Sequence, residues 1–337
     1  MATLRNVTLA EIESARGVIG GSVHRTPMLS SRTVAAFVEA AMGSKPGGDR
    51  VFLKAEHLQK TGSFKPRGMV AKVASLTDAE RRAGIITISA GNAAQGYAYA
   101  GAAVGVPVTV VMPASANPIK TAAAAGYGAD VVLEGADTGE AFAAMERIRA
   151  DRGLTFCHPF DDPVVIAGHG SVGLELLEDM PDVDVVVVPI GGGGLISGVA
   201  AAVRQARRTV RVYGVEPTGS NAMTLALAAG APVTIAPRSV ADGLNAPFAG
   251  AWTLDLVNRY VEDVITIDDS VILAGLRFAL ERIKQVLEPA GAAGLAALLA
   301  GRIPVRSGER VCVVLSGGNV DVGRLQEFVA APEPTPA

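Results

Sequence analysis

Short apolar runs alternate with alanine-rich stretches along most of this chain. Runs of about four to eight apolar residues, rich in valine and isoleucine, are typical of strands buried on both faces of a parallel sheet. The stretches between them have the composition and length of helices. The alternation therefore predicts βα units, with strands at 51–55, 85–88, 108–112, 131–133, 183–190, 210–215 and 311–315.

Local signals also predict where helices begin and end. Thr8 and Glu11 have the spacing of a capping box, so a first helix should begin there and end near Gly20 and Gly21. The polar, glycine-containing segment 44–49 predicts a linker before the first strand. A helix should follow the loop around residue 65, with an apolar side formed by Met69, Val70, Val73 and Leu76.

The order of these elements predicts an α/β fold with two parallel-sheet domains that carry helices on both faces. We expect a small domain at 84–157 and a large domain formed by 1–83 and 158–330. Ligands of such sheets bind beyond the carboxyl ends of the strands, so the site should lie between the two domains. The proline-rich tail 331–337 is expected to be disordered.

Composition and charge narrow the class of protein. The chain has 337 residues, of which 49% are hydrophobic and only 4% aromatic, which suits two domains with aliphatic cores. A net charge of −3 gives no electrostatic reason to expect nucleic acid or an anionic membrane as a partner. The first residues lack a leader pattern, and no apolar run approaches the roughly 18 residues of a membrane span. We therefore expect a cytoplasmic protein with a small-molecule partner.

The cysteines and histidines do not predict a metal site. Cys157 and Cys312 lie far apart in apolar surroundings, which favours two buried, reduced thiols over a disulfide. The four histidines show neither of the short spacings that zinc sites commonly use. We expect no metal.

One lysine lies among small, turn-forming residues beside an aromatic residue, in the segment Thr61-Gly62-Ser63-Phe64-Lys65-Pro66-Arg67-Gly68. A lysine amine is nucleophilic only when deprotonated, and a partly apolar pocket favours that form. Lys65 is therefore a candidate for attack on a carbonyl group. The competing interpretation is an ordinary solvated lysine.

Four consecutive glycines, Gly191, Gly192, Gly193 and Gly194, connect a predicted strand to a helix that begins near Leu195. Backbone amides without Cβ obstruction at the positive end of a helix are suited to bind phosphate. A flexible connection is one alternative. Another is a dinucleotide site that uses Glu216, although Ser197 stands where the third glycine of that motif is required.

Two further loops follow predicted strands. In the loop Ser89, Ala90, Gly91 and Asn92, backbone amides and the Ser89 hydroxyl can hold a carboxylate while Asn92 donates to an oxygen. Ser89 can alternatively serve only as a helix cap. Ser316 begins the glycine turn Ser316-Gly317-Gly318-Asn319, where its hydroxyl can bind a ligand nitrogen or simply stabilise the turn.

Together these segments resemble the fold-type II pyridoxal-phosphate enzymes, most closely the threonine/serine dehydratase (ammonia-lyase) and serine racemase group. The resemblance covers nearly the whole chain and includes His24-Arg25-Thr26-Pro27, His158-Pro159-Phe160-Asp161-Asp162-Pro163 and Ile166-Ala167-Gly168. It implies a dehydratase that converts a β-hydroxy amino acid such as L-threonine or L-serine to a 2-oxo acid and ammonia. It also implies a homodimer.

The resemblance implies a role for each candidate residue. Lys65 would hold pyridoxal 5′-phosphate as a Schiff base and remove the Cα proton of the substrate. The loop 89–92 would bind the substrate carboxylate. The cofactor contacts would come from Asn92 at the phenolic oxygen, Ser316 at the pyridine nitrogen, Gly191 to Gly194 at the phosphate and Phe64 at the ring face, although Phe64 is also a candidate for the core.

The chain departs from the group's pattern at three positions. Ala90 stands where serine racemases carry a second serine as the opposite acid/base, and Ala93 stands where many relatives have histidine. Glu216 resembles the start of a divalent-cation site, but Ala222 occupies the position of a further carboxylate. A turn containing Glu288 resembles one that lies near the cofactor in the group.

Three other functions remain open at this point. An amino acid racemase of the same fold would need the acid/base that Ala90 cannot supply. A β-replacing synthase would need a second, nucleophilic substrate. A nucleotide-binding module would leave Lys65 and Asn92 without a role. The sequence does not identify the substrate beyond its Cβ.

Overall fold

A computed structural model describes residues 5–330 and residue 332. The predicted tail at 331–337 therefore lies outside the described residues, apart from Pro332. Helices and strands alternate along the chain, and the predicted α/β class is confirmed. The helices are α1 (Leu9–Ile19), α2 (Arg32–Met42), α3 (Lys65–Ala74), α4 (Asp78–Ala83), α5 (Asn92–Val104), α6 (Pro118–Gly126), α7 (Thr138–Arg152), α8 (Pro163–Asp179), α9 (Gly194–Ala206), α10 (Ala222–Ala229), α11 (Ala251–Tyr260), α12 (Asp269–Arg282), α13 (Pro289–Leu299) and α14 (Val322–Val329).

The strands form two sheets. A six-stranded sheet has the order β1-β2-β10-β7-β8-β9, and a four-stranded sheet has the order β5-β4-β3-β6. All neighbouring strands are parallel except β1 and β2. The strands are β1 (Met28–Ser31), β2 (Val51–Lys54), β3 (Ile85–Ile88), β4 (Val108–Met112), β5 (Asp130–Leu133), β6 (Thr155–Phe156), β7 (Val185–Pro189), β8 (Arg211–Pro217), β9 (Asp263–Ile267) and β10 (Val311–Val314).

Seven of these strands fall where the apolar runs predicted them, and β1, β6 and β9 were not predicted. The central strands β7 and β10 are buried along their whole length, because helices cover both faces of the sheet. In contrast, β1 and β9 are edge strands in which every residue except Ile267 is half-buried or exposed, so they carry no continuous apolar run.

Helix α1 begins as predicted, because the Thr8 side chain and the Glu11 side chain satisfy each other's backbone amides in a capping box. The prediction that Lys65 lies in a loop before the helix was wrong. Lys65 is the first residue of α3, and Pro66 follows it at the position where a fixed φ favours the first helical turn. The Lys65 amine is therefore carried by the first turn of a helix.

The four strands of the smaller sheet all lie within 85–156. We propose that 84–157 forms one domain and that 1–83 together with 158–330 forms the other, and we refer to them as the small unit and the large unit. Among the described residues, none of the helices combines the length and apolar character needed to span a bilayer.

Candidate active site

The Lys65 side chain lies where the two units meet. Its Nζ donates a hydrogen bond to the Pro159 carbonyl oxygen at 3.2 Å and lies 5.1 Å from the centre of the Phe64 ring. Surrounding protein atoms penalise the ammonium form, so burial lowers the pKa of Lys65 to about 8. About a tenth of this amine is therefore neutral, and nucleophilic, at pH 7, far more than for an ordinary lysine.

The Ser316 turn is hydrogen-bonded directly to the Lys65 segment. The Phe64 amide donates to the Ser316 carbonyl at 3.1 Å, and the Gly318 amide donates to the Gly62 carbonyl at 2.9 Å. The Ser316 hydroxyl reaches only the Ala290 carbonyl, at 3.5 Å, which leaves it available for a stronger partner. Two segments about 250 residues apart in sequence thus form one wall of the site.

Asn92 connects both units through a chain of side chains. Its Nδ2 donates to Glu288 Oε1 at 2.6 Å, and its Oδ1 accepts from Asn319 Nδ2 at 2.8 Å. Asn319 in turn donates to the Thr61 carbonyl at 2.7 Å. Glu288 is buried, and burial raises the pKa of its carboxyl to about 7. Asn92 is therefore held in a fixed orientation beside the Ser316 turn.

The loop predicted to bind a carboxylate follows β3, and Gly91 is the N-cap residue of α5. The Ser89 hydroxyl accepts a hydrogen bond from the Gly91 amide at 3.2 Å, so it shapes the loop and does not cap the first turn of the helix. Because β3 pairs with β6, this loop lies next to the segment that contains Pro159. Ser89, Ala90 and Gly91 therefore lie at the same end of the small sheet as the Pro159 segment, whose carbonyl contacts Lys65.

The glycine run lies between β7 and α9, with its last residue at the N-terminus of the helix. Gly193 adopts φ 94°, a left-handed conformation that favours glycine. A Cβ on Gly192 would lie 2.5 Å from the Phe160 ring. Phe160 is the residue after Pro159, whose carbonyl oxygen accepts the hydrogen bond from Lys65. The run is therefore packed too closely for side chains.

These residues fit pyridoxal phosphate. The site offers a buried amine with a lowered pKa for the aldehyde and a glycine-rich helix N-terminus for the phosphate. It also contains unused hydroxyl groups. Ser63 Oγ is buried and has no hydrogen-bond partner among the described residues, and Ser316 Oγ has only a marginal one. Buried polar atoms without partners are uncommon unless a ligand or water completes them.

The sequence did not identify Ser63 as a candidate, although it stands two residues before Lys65 in the same motif. The Phe64 ring packs edge-to-face against the buried His169 ring, with the ring centres 4.8 Å apart.

Glu216 is the residue on which the dinucleotide interpretation depended. It is fully buried and accepts hydrogen bonds from the Met223 and Thr224 amides at the start of α10.

Arg67 anchors the helix that carries Lys65. It is fully buried, and its guanidinium group donates to Glu56 at 2.7 and 2.8 Å and to Glu175 at 2.7 and 2.9 Å. Lys54 donates to the same Glu175 carboxylate at 2.7 Å. This charge network joins α3, α8 and the β2 segment, and Arg67 lies two residues after Lys65 on α3.

Comparison with known proteins identifies relatives of this chain. The chain is 41% identical to the L-threonine ammonia-lyase of Thermotoga maritima over 324 residues, which cover 96% of this chain and 78% of that protein. It is 39% identical to the catabolic L-threonine dehydratase of Escherichia coli, with 96% of each chain covered.

Solved structures with a similar fold include two serine racemases. The fold matches that of maize serine racemase with a TM-score of 0.88 and 35% identity, covering 96% of this chain and 97% of the other. It matches the serine racemase of Dictyostelium discoideum with a TM-score of 0.83 and 32% identity, covering 94% and 99%. A family model described as pyridoxal-phosphate dependent enzyme matches residues 20–317. The chain therefore belongs to the pyridoxal-phosphate dependent enzyme family, as its site and its fold both indicate.

Proposed function

We propose that this enzyme is an ammonia-lyase that converts a β-hydroxy amino acid, L-threonine or L-serine, to a 2-oxo acid and ammonia. Relatives named threonine ammonia-lyase or dehydratase that align over nearly the whole chain support this proposal. The observation that carries it is the position of Lys65, whose enclosed amine lies in a segment that is hydrogen-bonded to the turn carrying the neutral hydroxyl of Ser316.

When bound, pyridoxal phosphate supplies a reactive aldehyde and an electron sink for chemistry at the substrate Cα. Lys65 Nζ would hold the cofactor and then accept the Cα proton. The amides of 191–194 would bind the phosphate, and those of 89–91 the substrate carboxylate. Asn92 Nδ2 and Ser316 Oγ would orient the ring. Hydrogen bonds hold the Asn92 side chain and the backbone of Ser316 in place, and the Ser316 hydroxyl is left available for the ring.

A panel of β-hydroxy amino acids tests the proposed reaction. Purified enzyme carrying its cofactor is expected to release 2-oxo acid and ammonia in equal amounts from L-threonine or L-serine, without a second substrate. Release of both products would be followed in the same reaction. Turnover that requires an added nucleophile would instead indicate a β-replacing synthase and would contradict the proposal.

Racemisation is the second candidate, because the fold also matches maize serine racemase. A racemase needs an acid/base on the face of the substrate opposite Lys65. Ala90 has no ionisable group at the corresponding loop position. We therefore expect chiral analysis to show D-amino acid forming much more slowly than 2-oxo acid, and the reverse order would favour the racemase.

The lowered pKa of Lys65 predicts how cofactor attachment depends on pH. Only the neutral amine attacks an aldehyde, and this form becomes the major one as the pH rises through about 8. The rate constant for attachment of pyridoxal phosphate to cofactor-free protein should rise about tenfold from pH 7 to pH 9 and then level off. Stopped-flow absorbance measures this rate. A rate that keeps rising to pH 11 would show an unshifted lysine.

We also propose that the enzyme is a cytoplasmic homodimer. The resemblance to the dehydratase group supports the dimer. Cys157 and Cys312 are both buried free thiols, which suits a reducing compartment. Light scattering should give a mass of twice 34.4 kDa.

A further inference from the structure

An ion pair crosses the cleft between the two units. Lys120, in the first turn of α6, donates from Nζ to Oδ2 of Asp242. Lys120 belongs to the small unit, whereas Asp242 begins a short turn, Asp242–Leu244, in the large unit. The Lys120 side chain is 17% exposed and the Asp242 side chain 49%, so the pair is partly shielded from solvent.

A second contact supports the same end of α6. Asn117 caps this helix through its Oδ1, and its Nδ2 donates to Asp321 Oδ2 at 3.3 Å. Asp321 is the N-cap residue of α14 and stands shortly after the Ser316 turn. The beginning of α6 therefore contacts the large unit at two places, and both lie beside loops of the active site.

The turn that carries Asp242 packs against two parts of the candidate active site, the glycine run and Glu288. A Cβ on Gly191 would lie 3.1 Å from Leu244 Cα and 3.3 Å from the Gly243 carbonyl oxygen, so the turn packs against the glycine run. A Cβ on Gly243 would lie 3.6 Å from Glu288 Oε1. Burial raises the pKa of Glu288, Asp242 raises it further and Lys120 lowers it, which reflects the proximity of the pair to this carboxyl.

We propose that Lys120 and Asp242 are positioning residues whose ion pair holds the small unit closed against the glycine run and Glu288. The ion pair would favour the closed arrangement of the two units in the free enzyme. Less of the substrate's binding free energy would then be used to close the small unit. The inference rests on the proposed function for its kinetic consequence, but its structural consequence can be measured without turnover.

The test compares three variants of the cofactor-loaded enzyme: Lys120→Met, Asp242→Asn and the charge exchange Lys120→Glu/Asp242→Lys. In each single variant, backbone hydrogen exchange in 117–126 should accelerate about fivefold, and KM for L-threonine should rise about fivefold. The value of kcat should change less than about twofold, because saturating substrate still closes the cleft. The charge exchange should restore most of both losses.

Arg152→Met is the matched control, because Arg152 pairs with Asp130 within the small unit, and both side chains are exposed. It should leave KM and hydrogen exchange in 117–126 unchanged. The inference would be overturned if the two single variants behave like this control, or if the charge exchange restores neither quantity. If neither L-threonine nor L-serine is turned over, the proposed function fails, while hydrogen exchange still decides whether the pair closes the cleft.

Discussion

Lys65→Ala should lower turnover by about 10⁴-fold and abolish the visible absorbance of covalently bound pyridoxal phosphate. The substitution removes both the amine that holds the cofactor and the base that accepts the Cα proton. It should not unfold the enzyme, because Lys65 Nζ has one hydrogen bond, to a backbone carbonyl, and forms no ion pair that would be left uncompensated among the described residues. Absorbance spectra and 2-oxo acid release measure the two effects.

Lys60→Ala provides the control for this prediction. Lys60 lies five residues earlier, directly before the Lys65 segment, and its substitution should leave absorbance and turnover within about twofold of the unmodified enzyme. Retention of the visible absorbance in Lys65→Ala would show that another group holds the cofactor. The assignment of Lys65 would then be wrong, even if the reaction itself were confirmed.

Arg67→Met is expected to be the most destabilising of the substitutions considered. It would leave Glu56 and Glu175 buried without the guanidinium group that now binds both carboxylates. Removal of one partner from a buried charge network typically costs about 3–5 kcal/mol of unfolding free energy. Because Arg67 lies two residues after Lys65 on α3, cofactor affinity should also fall. Thermal unfolding and cofactor titration measure these effects.

The exposed pair of Arg152 and Asp130 again supplies the comparison. Loss of such a surface pair should cost no more than about 1 kcal/mol, so Arg152→Met should unfold close to the temperature of the unmodified enzyme. If Arg67→Met unfolds at the same temperature as Arg152→Met, the network contributes little and the Lys65 helix is held by apolar packing alone.

Much of the fold follows from local signals in the sequence. The buried strands β7 and β10 are continuous valine-rich runs, and such runs have few alternatives to a sheet covered on both faces. The Thr8 capping box is also a local device, because both of its hydrogen bonds join residues three positions apart. These elements were predictable because neighbours in sequence determine them.

Edge strands and polar contacts between distant segments were not predictable in this way. Strand β9 is half exposed and pairs with β8 only after the chain has passed through two helices. The hydrogen bond of Asn92 to Glu288 joins residues 196 positions apart, and that of Asn319 to Asn92 joins residues 227 apart. No spacing rule connects such residues, since they belong to different units and only the packing of the two units brings them together.

The sequence by itself determined the chemistry available to this enzyme: one lysine beside small residues, a run of four glycines, and serines and asparagines after strands. The tertiary structure alone decided that these groups meet, that the Lys65 amine is enclosed enough for a lowered pKa, and that Lys120 faces Asp242 across the cleft. The physical reason is that pKa shifts and ion pairs depend on distance and burial in space, whereas sequence fixes only the residue types and their order.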